Sequence, residues 1–204
     1  MNERFFLLDE KRQEQILNAG YKGFAQNTYG KTSMSMVAEE AGISKSLLFH
    51  YFVNKKEFYL YLYERALAQV KETLPDETNT EENDFFELLK QHMEKKWGLL
   101  KEAPFLFQFL NRAYYETDET LQNELRDMTN RYMTEPVNEI MKRAKNVKGD
   151  PEREEIVRVV LYLAEGFAYA NNEIIQANPL EAMKEFDSIL DYVKKLYDNK
   201  NRGV

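Results

Sequence analysis

The chain has 204 residues, enough to bury a substantial core as one domain or as a small domain attached to a larger one. With no cysteine there is neither a disulfide framework nor a thiolate metal site, as suits a reducing cytoplasm. A formal net charge of -7 argues against indiscriminate coating of nucleic acid, and the apolar run at 5–8 is too short for a signal-peptide core or a membrane span, so a cytoplasmic chain with no membrane partner is expected.

Helices are expected almost throughout, because few stretches alternate with period two and Asn-Gly turn pairs are absent. Ile16, Leu17, Gly20 and Phe24 mark the buried face of a first helix over 9–26. Glycine inside a helix costs about 1 kcal/mol relative to alanine, so Gly20 predicts close packing against another helix.

The stretch 31–56 then reads as two short helices joined by a tight turn and followed by the start of a third. Thr32 and Ser33 are helix-capping types, and Met34, Val37, Ala38 and Ala41 follow at spacings of three and four. Gly42 tolerates the left-handed backbone with which helices commonly end. Ser44 caps a second helix whose inner side is assigned to Leu47, Leu48 and Tyr51 or Phe52, leaving Lys45, Ser46, Phe49 and His50 outward. A glycine-turned helix pair of this kind is the helix-turn-helix, whose second helix enters the DNA major groove. Asn54 with Glu57 three residues on starts the third helix as a capping box. Lys55 and Lys56 lie in its first turn, where cations oppose the helix dipole unless a phosphate lies in front of them. Between 22 and 56 the basic residues are Lys22, Lys31, Lys45, Lys55 and Lys56 against Glu39 and Glu40, a small basic face on an acidic body.

The third helix continues as a connector to about residue 74, with Phe58, Tyr61, Leu62, Arg65, Ala66 and Val70 on its inner stripe. The polar loop 75–79 is the expected boundary between domains at 1–74 and 75–204. Thr80 or Asn83 caps a helix to about 101 that buries Phe86, Leu89, Met93, Trp97 and Leu100. Ala103-Pro104 breaks it, a short and very apolar helix follows, and Asp118 is expected to cap a long helix over 119–145 that Pro136 kinks or divides. Gly149-Asp150-Pro151 opens a helix over 151–176, and the last helix spans 179–198. These last two carry apolar residues on more than one side, for example Val159 beside Val160 and Leu161 beside Tyr162, so one face is available to a second copy of the chain.

Chemistry is sparse. His50 and His92 are the only histidines and fall in different expected domains, and paired carboxylates lie on solvated helix faces. Gly20 and Gly23 sit inside a helix rather than in a phosphate loop. No catalytic residue, metal site or cofactor is expected, and an enzyme finds no support.

The string ILNAGYKGFAQNTYGKTSMSMVAEEAGISKSLLFHYFVNKKEF, within residues 13–62, resembles the DNA-binding domain of the tetracycline-repressor (TetR) family over roughly the first third of the chain. The matching features are the Phe-Ala pair ending the first helix, Gly before Thr-Ser, Val-Ala-x-x-Ala-Gly-Ile-Ser-Lys, Leu-Phe-x-Tyr-Phe and Asn-Lys-Lys-Glu. The resemblance implies an all-α protein: an N-terminal three-helix helix-turn-helix DNA-binding domain plus a larger helical ligand-binding and dimerisation domain. It implies DNA contacts from Thr32, Ser33, Ser44, Lys45, Ser46, Phe49, His50, Tyr51 and Lys55, with the outward residues of the second helix in the groove and Thr32, Ser33, Tyr51 and Lys55 toward phosphate. Phe49 replaces the usual Tyr, Leu47 a small or hydroxylated residue and Met36 a polar one, so the base-reading pattern differs. In the body the resemblance implies a small-molecule cavity, to which Met93, Trp97, Phe105, Phe109, Tyr132, Phe167 and Asn171 are assigned. It further implies a homodimer through the last two long helices, a palindromic double-stranded DNA operator, and a repressor released by a small hydrophobic or aromatic effector. The alternative is a nucleoid-associated or cell-division regulator whose helical body binds a protein partner.

Overall fold

The computed structural model describes residues 3–74, 85–135 and 151–202, and all the regular structure among them is helical. Ten α-helices are described: α1 Glu10–Gln26, α2 Met34–Glu40, α3 Lys45–Tyr51, α4 Lys55–Lys71, α5 Phe85–Glu102, α6 Pro104–Tyr114, α7 Gln122–Thr129, α8 Pro151–Ala170, α9 Asn172–Ala177 and α10 Pro179–Arg202. The expected loop at 75–79, the caps Thr80 and Asn83, the kink at Pro136 and the cap Asp150 lie outside the described residues. The chain divides into two compact units, residues 1–69 with 103–133 and residues 70–102 with 134–204.

In the first unit, Asp9 caps α1 by accepting from the Arg12 backbone N–H at 2.9 Å. The face predicted for α1 is buried, and Gly20 meets α4 as expected: a Cβ built on it would lie 2.6 Å from Leu62 Cδ1 and 2.7 Å from Phe58 Cζ. The α4 stripe is wider than the sequence reading gave. Phe58, Leu62, Ala66 and Val70 are buried, but so are Tyr59, Tyr63 and Leu67, whereas Tyr61 is half-buried and Arg65 exposed. The reason is a second packing layer. Tyr59 meets Phe109 of α6 edge-on at 5.1 Å and Phe24 of α1 at 4.8 Å, and the Tyr63 hydroxyl bonds Thr129 Oγ1 at 2.7 Å.

Helix α6 is one-sided rather than buried all round: Leu106, Phe109 and Ala113 face inward while Tyr114 and Tyr115 are half exposed. Arg112 Nε donates to the Ala25 carbonyl at 3.0 Å, and Glu116 Oε2 accepts from the Tyr29 N–H at 3.2 Å. Asp118 does not cap a long helix. Its Oδ1 accepts from the Thr120 N–H and hydroxyl in a tight turn, and α7 begins only at Gln122. A π-helical turn, Asn130–Thr134, follows α7 directly.

In the second unit α5 buries Phe86, Leu89, Met93, Trp97 and Leu100, the set its spacing predicts. The ion pairs Lys90–Asp191 (2.5 Å) and Lys194–Glu87 (2.8 Å) fix α5 antiparallel to α10. They are partly exposed, so packing of Ala182, Phe186 and Leu190 contributes more than the charges do. The helix expected over 151–176 is two. Asn171 donates both its backbone N–H and its side-chain amide to the Phe167 carbonyl, at 2.9 and 3.1 Å, which closes α8 and lets α9 restart.

Candidate nucleic-acid interface

The α2–α3 pair is built by local chemistry. Ser33 and Ser44 cap the two helices, accepting from the Met36 and Leu47 N–H groups. Between them the chain reverses through a Schellman motif: Ile43 N–H donates to the Ala38 carbonyl, Gly42 N–H to Glu39, and Gly42 takes φ +63°. That left-handed value is the physical reason for glycine at this position. Leu48, Tyr51 and Phe52 seat α3 on the core.

Lys45, Ser46 and His50 are exposed and Phe49 is half-buried on the outer side of α3. The Lys45 ammonium lies 5.9 Å from the Phe49 ring centroid, and Ser46 Oγ is 2.9 Å from Ser44 Oγ. Leu47, which the sequence reading placed inside, is 37% exposed. At 100° per residue it stands one step off the stripe of Leu48 and Tyr51, so it joins the outer face and offers an apolar contact there.

The residues expected to touch phosphate divide. Ser33 lies at the N-terminus of α2, beside the exposed Met36. Thr32 is buried, its hydroxyl donating to the Thr28 carbonyl at 2.9 Å, and Tyr51 is buried against Phe5. Lys55 is half-buried: Nζ donates to the Thr32 and Gly30 carbonyls at 2.8 and 3.4 Å and lies 4.8 Å from the Tyr29 ring centroid. Desolvation draws its pKa below the usual lysine value, opposed by Asp118. Lys56 pairs with Glu124 at 2.6 Å and Lys22 with Glu40 at 2.7 Å. The cations opposing the α4 dipole thus have partners within the protein. Lys31 and Lys45 are exposed and make no ion pair among the described residues.

Sequence reasoning missed the N-terminal turn Glu3–Phe5. Phe5 is fully buried among Tyr51, Phe52 and Tyr61, with centroids 4.9–5.9 Å away, and Arg4 Nη1 is 2.9 Å from His50 Nε2. An aromatic pair ahead of the first cap was the available signal.

The residues assigned to a ligand site fall in both compact units. In the first, Phe109 is fully buried in the aromatic core, Phe105 lines a polar groove of about 420 Å³ beside Arg12 and Lys22, and the Tyr132 hydroxyl donates to Glu64 at 3.0 Å. In the second, Met93 and Trp97 are buried on α5, Phe167 packs on Phe186 at 5.1 Å, and Asn171 closes α8. The Trp97 indole N–H is buried and makes no hydrogen bond among the described residues. His92 bonds Thr73 Oγ1 at 3.2 Å, and burial, aided by Lys96, pulls its pKa down to about 4. Among the described residues no group of three or more His, Asp or Glu could hold a metal ion, and no helix is long and apolar enough to cross a membrane.

A capped, glycine-turned helix pair with a polar outer face defines a helix-turn-helix DNA-binding regulator. Residues 16–62 match the family described as "Bacterial regulatory proteins, tetR family". No curated protein matches the chain in sequence. Among solved structures, a TetR family transcriptional regulator from Chloroflexus aurantiacus J-10-FL is 23% identical, with 99% of this chain and 97% of that one covered and a TM-score of 0.60. PfmR, a TetR family regulator from Thermus thermophilus, is 21% identical over 87% of this chain and 96% of that one, with a TM-score of 0.60. The fatty acid degradation regulator FadR from Bacillus halodurans is 14% identical over 91% of this chain and 96% of that one, with a TM-score of 0.71. The match to this family covers residues 16–62, the helix-turn-helix domain, and over most of its length the chain shares the fold of these solved regulators.

Proposed function

We propose that the chain is a homodimeric repressor that grips a palindromic operator with two copies of α3 and releases it when a small, largely apolar effector binds its helical body. The observation that carries this reading is the seating of α3, where Leu48, Tyr51 and Phe52 fix the helix and Lys45, Ser46, Leu47, Phe49 and His50 are turned outward. Such a face offers a cation, a hydroxyl, apolar groups for thymine methyls and an imidazole to base edges. Lys31 and Lys45 supply exposed positive charge near it, while Thr32 and Lys55 hold the turn that presents it.

Dimerisation through α8 and α10 is supported by what those helices leave uncovered. Val159, Tyr162 and Tyr169 on α8 and Tyr192 and Leu196 on α10 are exposed by 45–67%. Gly166 lies on the same α8 stripe, where a Cβ would meet nothing within 4 Å. Among the described residues nothing requires glycine there, and a closely approaching partner helix would. A two-fold dimer would set its reading helices about 34–36 Å apart, or a multiple of that spacing, on one DNA face.

Effector binding is supported by the buried indole N–H of Trp97, which has no hydrogen-bond partner among the described residues. A buried donor left unbonded costs about 1–3 kcal/mol, which an effector bearing one acceptor would recover. The effector acts only through its difference in affinity for the DNA-competent and DNA-incompetent states. Trp97 is the only tryptophan, so its fluorescence reports on this site directly. Titration with apolar acids, esters and aromatic ketones should change that emission and release a fluorescent operator duplex at the same concentrations. Release with unchanged emission would place the effector elsewhere.

A further inference from the structure

The N-terminal turn bears on base reading, and the inference rests on the DNA-binding reading above. Phe5 anchors this turn to α3 and α4, with its ring 5.9 Å from Tyr51, 4.9 Å from Phe52 and 5.7 Å from Tyr61. The Phe6 N–H closes the turn on the Glu3 carbonyl at 3.0 Å, and Gln13 Nε2 ties the Leu8 carbonyl to α1 at 2.8 Å. Residues 3–8 are therefore held against the recognition helix rather than trailing from it. In this setting Arg4 Nη1 lies 2.9 Å from His50 Nε2 across 46 residues of sequence.

A guanidinium has only donors, so in this contact Nε2 of His50 accepts. With Nε2 accepting, the ring's N–H is the one on Nδ1, which makes no hydrogen bond among the described residues. We propose that Arg4 is a specificity-determining positioning residue: by holding His50 Nε2 as acceptor it fixes the Nδ1–H tautomer, so that α3 presents a donor to one base edge of the operator. In the major groove that donor suits guanine O6 or N7, adenine N7 or thymine O4, and it meets no acceptor on cytosine, whose edge there is the N4 amine. Without Arg4 the ring can present either a donor or a lone pair, and discrimination at that position weakens.

The test begins with the full-length protein and a random-sequence duplex library. Enrichment of a palindromic consensus by the wild type establishes DNA recognition independently of Arg4; a wild type that enriches nothing overturns the DNA-binding reading and this proposal with it. With the enriched duplex, a substitution to cytosine at the His50 position should cost the wild type about tenfold in Kd. Arg4→Ala should reduce that ratio to under about threefold while leaving other positions unchanged. In a His50→Asn background, whose amide keeps a donor without help, Arg4→Ala should leave the ratio where it is. Selective ¹⁵N-histidine spectra of the free protein supply a readout that a loss of folding would not mimic. Only His50 and His92 contribute; His50 should show a protonated Nδ1 in the wild type and a tautomer mixture in Arg4→Ala. A uniform affinity loss across sequences, an unchanged preference, or an Nε2–H tautomer in the wild type would each overturn the proposal.

Discussion

Gly20→Ala tests the seat on which the DNA-reading head is built. An alanine Cβ there would lie 2.6 Å from Leu62 Cδ1 and 2.7 Å from Phe58 Cζ, both on fully buried side chains. Carbon atoms settle at about 3.5–4.0 Å, so the overlap is about 1 Å and α1 must move off α4 or both side chains must leave their rotamers. Overpacking of this kind costs about 1–3 kcal/mol, and alanine's better helix propensity returns about 1 kcal/mol, leaving a net loss of about 1 kcal/mol. Gly98 in α5 provides the control, since it is exposed and a Cβ there meets nothing within 4 Å. Gly98→Ala therefore keeps the whole propensity gain and should stabilise by about 0.5–1 kcal/mol. Urea unfolding followed by circular dichroism should move the two midpoints in opposite directions at unchanged slope, with Trp97 fluorescence recorded alongside to check that the two compact units unfold together. Equal stabilisation by the two substitutions would refute the packing argument.

Two further outcomes follow from the second unit. Burial lowers the His92 pKa from 6.5 to about 4, so between those values the unfolded chain binds a proton that the folded one does not. The His92 contribution should be nearly complete above pH 6.5 and be lost as pH drops toward 4, by at most about 3 kcal/mol; His92→Gln should flatten that part of the slope in denaturation midpoints, and an unaltered slope would assign it to other groups. Gly166→Leu should convert dimer to monomer in sedimentation velocity and lower operator affinity while leaving the subunit's helicity intact, whereas a dimer of wild-type strength would remove α8 from the interface.

The chain's residue order by itself determined the helical class and the α2–turn–α3 unit, because those signals act over a few residues. Capping serines, the Gly42 reversal and the spacing of Met34, Val37 and Ala38 each satisfy groups within one turn of helix. Gly20 was legible for a related reason: a helix-interior glycine carries an intrinsic cost whose explanation had to be a close neighbour. Folding in three dimensions decided what depends on remote partners. It gave α4 a second buried face through Phe109 and Thr129, turned Leu47 outward, and supplied Lys55 and Lys56 with carbonyl and carboxylate partners. It also brought Phe5 and Arg4 onto α3, with Arg4 46 residues from His50 in sequence. Periodicity shows that a helix has a buried side but not how many neighbours cover it, since each neighbour's position is set by packing across the whole unit.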